Sequence, residues 1–294
     1  MRNNLFRGVT TAMVTPFLPN GSVDFEGLRK NTHHQIDNGI NGLLPLGTTG
    51  ETPTLSRDEM DQIVRVVAEE TKGSARKVPV LVGVGTNSTE KTIKNAQEAQ
   101  KWGADALLVV TPYYNKPTQE GIIAHFDAIC DAVGLPIVVY NIKGRTGTNI
   151  ETDTLKRIAE NENVIAVKEA SGDIHQMMEV LVRIPEIAVY SGDDGMTFPL
   201  TCLGGQGVIS VISNLLPDIV VEMVSESLAG NISRARQLHF KLLPIFKAAF
   251  IETNPAPIKY AMNKRGLAAG LLRLPLVEIK DSSKKLLDSV LEMY

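Results

Sequence analysis

The sequence predicts an α/β fold, a (β/α)8 TIM barrel with a C-terminal helical extension, and three observations point there. Short runs rich in apolar and β-branched residues recur eight times. A longer stretch with helical spacing follows each of them. The short runs are continuously apolar rather than alternating, as strands covered on both faces are. Eight such units suit a closed barrel, and an open doubly wound sheet is the alternative.

The expected strands are GVTTAMVTPF (8–17), GLLPLG (42–47), VPVLVGVG (78–85) and ADALLVVTP (104–112). They continue with LPIVVYN (135–141), VIAVKEA (164–170), IAVYSGD (187–193) and GQGVISV (205–211). Between them, Ser56-Arg57-Asp58-Glu59 is a capping-box pattern, and Met60, Ile63, Val64 and Val67 then share one helical face. Asp173 is placed to cap the helix after the sixth strand, whose buried side carries Met177, Val180 and Leu181. From about Leu215 only helical patterns remain, and no Gly/Ser-rich linker precedes them. The expected organisation is a barrel over residues 1–228 with a helical extension over 229–294 packed against it.

A chain of 294 residues can bury a large core without a disulfide or metal staple. The net charge of −3 and the absence of a basic stripe argue against nucleic acid and anionic membranes as partners. The first residues contain no apolar signal core, and no apolar run approaches the length of a membrane span. The expectation is a soluble, cytoplasmic protein. Cys130 and Cys202 sit in apolar contexts without a C-x-x-C pair, so both are expected to be buried thiols in a reducing compartment. The five histidines have no zinc-site spacing, and no G-x-G-x-x-G opens a helix.

In a (β/α)8 barrel, reactive groups stand where strands run into the following loops. Lys168 follows Val164, Ile165, Ala166 and Val167 directly, and burying an unpaired ammonium is costly. Either it pairs with Glu169 or an aspartate, or desolvation keeps its amine neutral and able to condense with a carbonyl. Tyr140 ends the preceding strand, with its hydroxyl either wet or acting as a proton donor and acceptor. Of Tyr113 and Tyr114, strand alternation lets only one point inward. Gly47-Thr48-Thr49-Gly50 reads as a tight turn able to hold a carboxylate, or simply to lead into the next helix. Arg145 is suited to a second carboxylate. Asp193-Asp194 reads as loop structure in preference to a cation site, and Gly204-Gly205-Gln206-Gly207 reads as a turn in preference to a phosphate site.

Taken together, GTTGE (47–51), TPYYN (111–115), YN…RTG (140–147), VKEASG (167–172), SGDD (191–194), GGQGVIS (204–210) and NPAPIK (254–259) resemble the dihydrodipicolinate synthase family. The resemblance runs from about Val9 through the C-terminal helices. It implies that Lys168 forms a Schiff base with pyruvate, and that Tyr140, Thr48 and Tyr114 relay protons, with Tyr114 contributed across a subunit interface. It further implies that Thr49, with backbone near Gly192 and Ile209, holds the pyruvate carboxylate. Arg145 would receive the carboxylate of L-aspartate 4-semialdehyde. The implied product is 4-hydroxy-tetrahydrodipicolinate, in diaminopimelate and lysine biosynthesis. The implied assembly is a homotetramer, a dimer of dimers, and no metal or organic cofactor is required. The same superfamily offers a keto-deoxy sugar-acid aldolase or sialic-acid lyase as the alternative. A non-catalytic or phosphate-ligand-binding barrel is the alternative of another class.

Two departures from the family pattern bear on these expectations. Lys143 stands where proline is usual, which alters how the loop presents Arg145. Tyr113 and Asn87 match the family's lysine-effector pocket, but Met60 replaces a histidine and Lys91 replaces an acidic residue. A cation at 91 repels a lysine effector, so weak or absent lysine inhibition is expected.

Overall fold

The computed structural model describes residues 4–294. Eight parallel strands form the barrel: β1 (Gly8–Ala12), β2 (Gly42–Leu44), β3 (Leu81–Gly83), β4 (Ala106–Val110), β5 (Ile137–Asn141), β6 (Val164–Glu169), β7 (Ala188–Ser191) and β8 (Gly207–Ser210). Each pairs with its sequence neighbours except at the seam between β2 and β3, and β1 also pairs with β8. The seam between β2 and β3 is closed by the Leu43–Val80 bridge and by the Gly83 amide donating to Pro45 O at 3.2 Å. The doubly wound alternative is thereby excluded.

The surrounding helices are α1 (Phe25–Asp37), α2 (Arg57–Gly73), α3 (Thr89–Trp102), α4 (Gln119–Ala132), α5 (Lys143–Thr146), α6 (Thr152–Ile158), α7 (Ile174–Arg183), α8 (Thr197–Cys202) and α9 (Pro217–Leu228). Beyond them run α10 (Ile232–Ala248), α11 (Ala256–Lys264) and α12 (Asp281–Leu291). The Ser56–Glu59 capping box is formed in both directions, and the Asp173 carboxylate caps α7. Ile63, Val64 and Val67 are buried as their spacing requires, while Met60 and Leu181 are only half-buried.

Two apolar layers result. The larger lies between strands and helices and includes Val139, Val167, Val189 and Val208. The smaller fills the barrel interior with Leu44, Leu108, Val138, Tyr140, Ala166, Tyr190 and Ile209. Facing of β6 depends on one irregularity. Ile137 pairs with Val164 but Val138 pairs with Ala166, so Ile165 has no partner in register on β5. Such an inserted residue reverses the strand's alternation. Ile165 and Ala166 therefore both face the interior, Val167 faces the helices, and Lys168 comes to lie in register with Tyr140.

One sequence expectation fails on burial. Cys130 is buried, but Cys202 is exposed at the last position of α8. Leu200 carries that short helix's contact with the core, and a residue two places further lies on the opposite side of the turn. No helix among the described residues is long and apolar enough to cross a membrane.

Candidate active site

Lys168 occupies the fifth position of β6 and is 6% exposed. Tyr140 and Tyr190 flank it in register on the neighbouring strands. Its ammonium lies 4.3 Å from the centroid of the Tyr140 ring and makes no salt bridge among the described residues. Burial brings its pKa down from 10.5 to about 7, opposed by the charge of Asp194 and assisted by that of Arg145. The ion-pair alternative with Glu169 does not form. Glu169 points away from the interior, accepting from the Ser171 amide at 2.7 Å and the Asn141 amide group at 3.1 Å.

Gly192 is where β7 leaves the barrel beside that lysine. A side chain there would meet Ala170 Cβ at 2.6 Å and Lys168 Cε at 3.0 Å, so only glycine leaves the amine room. Ile209, on β8, is fully enclosed in the interior layer. Tyr140 is buried as well, and burial pushes its hydroxyl up to about 12 against the opposing effects of Arg145 and a hydrogen bond with Thr48.

A cavity of about 470 Å³ opens on this face, and Thr48, Tyr140, Arg145 and Tyr113 are among the residues lining it. Lys168 stands beside the Tyr140 ring and is not itself part of that lining. Thr48 and Thr49 begin a single 3₁₀ turn, Thr48–Gly50, immediately beyond the end of β2. The Thr49 hydroxyl is buried and accepts from Asn254 Nδ2 at 3.0 Å. Arg145 projects from α5 and donates to Asn254 O at 3.4 Å. Lys143 opens α5, the helical position that accommodates proline best. The turn closes without proline, because Arg145 N and Thr146 N both donate to Ile142 O at 3.1 Å.

The tyrosine pair resolves as one inward and one outward. Tyr113 lines the cavity of its own chain, whereas Tyr114 is 89% exposed with φ at +74°. Both lie past the end of β4, in the following loop. The structure thus gathers Lys168, Tyr140, Thr48, Thr49, Arg145, Gly192 and Ile209 at one end of the barrel and leaves Tyr114 outside. Gly204 and Gly205 turn the chain into the N-terminal end of β8, the opposite end from Lys168, which removes the phosphate-site alternative for them.

Three participants were given no role at this site by sequence reasoning. Asn254 is 4% exposed and lines the cavity with its side-chain oxygen unpartnered. Asp194 is buried and accepts from the Ser210 hydroxyl and from the amides of Val211 and Ile212 at 3.0 and 3.3 Å. Burial raises its pKa to about 6. Lys259 is buried against Glu51. All three lie in the NPAPIK and SGDD motifs, but no local spacing says what they face.

Fold and site together define a class I, carbonyl-condensing lyase on a (β/α)8 barrel. The model of the Dihydrodipicolinate synthetase family matches residues 5–294, and the chain belongs to that family. It is 48% identical over 289 residues to a 4-hydroxy-tetrahydrodipicolinate synthase of Protochlamydia amoebophila, covering 97% of this chain and 95% of that one. The crystal structure of dihydrodipicolinate synthase from Thermotoga maritima superposes with a TM-score of 0.94 at 47% identity, covering 98% of both chains. A monomeric dihydrodipicolinate synthase variant superposes with a TM-score of 0.95 at 47% identity, over 98% of this chain and 97% of that one.

Proposed function

We propose that Lys168 is the nucleophile of a 4-hydroxy-tetrahydrodipicolinate synthase reaction, condensing pyruvate with L-aspartate 4-semialdehyde. The observation that carries this reading is the buried, carboxylate-free amine of Lys168 in register with Tyr140. Its neutral form attacks the pyruvate carbonyl, and loss of water gives the imine. Removal of a methyl proton then yields an enamine, which adds to the aldehyde carbon of the second substrate. The amino group of that substrate closes on the imine carbon, releasing Lys168 and the cyclic product.

Tyr140 and Thr48 move protons on and off the reacting nitrogen and oxygen, a reading supported by their place in the lining of one cavity. Thr49, the backbone at Gly192 and the β8 end at Ile209 hold the pyruvate carboxylate. Arg145 meets the carboxylate of the semialdehyde at the outer part of the cavity, where its position in the lining favours a short anionic aldehyde over a polyol.

Tyr114 completes the relay from a second copy of the chain, a reading supported by its 89% exposure beside the cavity-lining Tyr113. The assembly proposed is a homotetramer of two such dimers working in the cytoplasm, with the barrel of residues 1–228 and the 229–294 extension acting as one unit. Incubation with pyruvate followed by borohydride reduction is expected to leave a mass adduct on the peptide holding Lys168. An unmodified peptide would sink the proposal.

A further inference from the structure

A buried ion pair ties the connection between β2 and α2 to the C-terminal extension. Glu51 and Lys259 have side chains 0% and 2% exposed, with Lys259 Nζ 2.7 Å from Glu51 Oε1. All three ammonium protons have acceptors, the other two being Thr15 O at 3.0 Å and Leu271 O at 2.6 Å. The second carboxylate oxygen of Glu51 accepts from the Arg273 amide at 3.0 Å. Lys259 and Arg273 both lie over the Phe17 ring, at 4.5 and 4.3 Å from its centroid.

A pair buried this deeply contributes little net stability, because desolvating two charges offsets their attraction. What it does supply is geometry. Glu51 has φ at +53°, a left-handed conformation unfavourable for a residue with a side chain, and it joins the Thr48–Gly50 turn to a second 3₁₀ turn, Thr52–Thr54. The first turn is clasped on several sides. Thr15 Oγ1 donates to Gly50 O at 2.7 Å, Thr52 Oγ1 to Gly47 O at 2.9 Å, and Asn254 Nδ2 to the Thr49 hydroxyl at 3.0 Å. The extension therefore grips the turn twice, through Asn254 at its near end and Lys259 at its far end.

We infer that Lys259 is a positioning residue for the reaction, holding the Thr48–Thr49 turn at the cavity through its buried pair with Glu51. The inference rests on the reading of Thr48 as a proton carrier. It makes the C-terminal extension part of the catalytic apparatus, acting on hydroxyls more than 200 residues earlier in the chain. Neither Lys259 nor Glu51 needs to touch substrate for this.

A double-mutant cycle tests it. Lys259→Met and Glu51→Gln are each expected to lower kcat about tenfold or more, and Thr48→Val to do likewise. Combined with Thr48→Val, either change should cost less than about a further twofold, because the hydroxyl it positions is already gone. Pyruvate adduct formation on Lys168 at saturating pyruvate should persist in the Lys259 and Glu51 variants. Losses that multiply in the double variants, or an unchanged kcat in the singles, would overturn the inference. If Lys259→Met fails to fold, Glu51→Gln carries the same cycle, since it keeps one acceptor for the ammonium. Absence of the adduct in the unmodified protein strikes at the lyase reading instead, so the two failures are distinguishable.

Discussion

The pH dependence of imine formation follows from the surroundings of Lys168. An exposed lysine with a pKa of 10.5 is neutral in about one molecule in three thousand at pH 7. Held at about 7, the amine is neutral in half the molecules. The drop corresponds to about 5 kcal/mol favouring the neutral form, and to about a thousandfold more nucleophile at neutral pH. The sign is unambiguous, since the reactive species is the deprotonated one and its population rises with pH. The rate of pyruvate capture, read by quenching with borohydride and weighing the Lys168 peptide, should climb about tenfold per pH unit below the midpoint. It should level off above about pH 7. Two substitutions should move the midpoint in opposite directions. Asp194→Asn removes a charge that favours the ammonium and lowers it, whereas Arg145→Gln removes one that disfavours the ammonium and raises it. A capture rate still climbing steeply beyond about pH 9 would refute the argument that burial activates this amine.

Other expectations follow from the same geometry. Lys168→Met should abolish the adduct yet raise the melting temperature by several degrees at pH 7. The folded pKa lies below the unfolded one, so burying this lysine costs most below about pH 7 and nothing above about 10.5. A calorimetric scan showing lower stability in the variant at pH 7 would contradict this. Arg145→Gln should raise KM for the semialdehyde well above its effect on pyruvate capture, as steady-state kinetics with each substrate varied would show. Refolding Tyr114→Phe chains together with Lys168→Ala chains should restore activity that neither has alone, because a mixed dimer contains one intact site. No recovery would place Tyr114 outside the relay. Sub-millimolar lysine should leave the rate nearly unchanged, given Met60 in the cavity lining and a cation, the exposed Lys91 of α3, in place of an acidic residue. Half-inhibition at that level would contradict the expectation.

Much of the barrel was legible because each parallel strand is enclosed on both faces, and continuous apolar runs such as VIAVKEA record that directly. The residues gathered at its mouth were legible for a related reason, since every one of them, like Tyr114, stands towards the end of a strand or follows one closely. What lay beyond reach depended on contacts between distant segments. The unpaired Ile165 decides that Lys168 faces inward, yet a strand insertion has no signature in a run of valine, isoleucine and alanine. Asp193-Asp194 reads as loop structure in the sequence, and only the fold shows the amides after β8 enclosing the Asp194 carboxylate. Cys202 looked buried because its neighbours are apolar, but a six-residue helix has too few turns for neighbours to fix which side faces in.

The two buried lysines show why burial alone does not make a nucleophile. Lys168 and Lys259 are 6% and 1% exposed, and burial pulls the pKa of each downward. Lys259 has a carboxylate at 2.7 Å and two carbonyl oxygens, so each of its protons is held and its lone pair is unavailable for attack. Lys168 has an aromatic face at 4.3 Å and only the longer-range field of Asp194 in its favour, countered by Arg145. The ion pair turns one lysine into a fixed strut, and its absence leaves the other free to lose a proton. Exchanging those environments should exchange the behaviours. A carboxylate introduced in register with Lys168 on the neighbouring strand, as in Tyr190→Glu, should restore the ammonium and suppress pyruvate capture at neutral pH, with capture recovering as the pH is raised. Undiminished capture in such a variant would mean that something other than the missing partner activates Lys168.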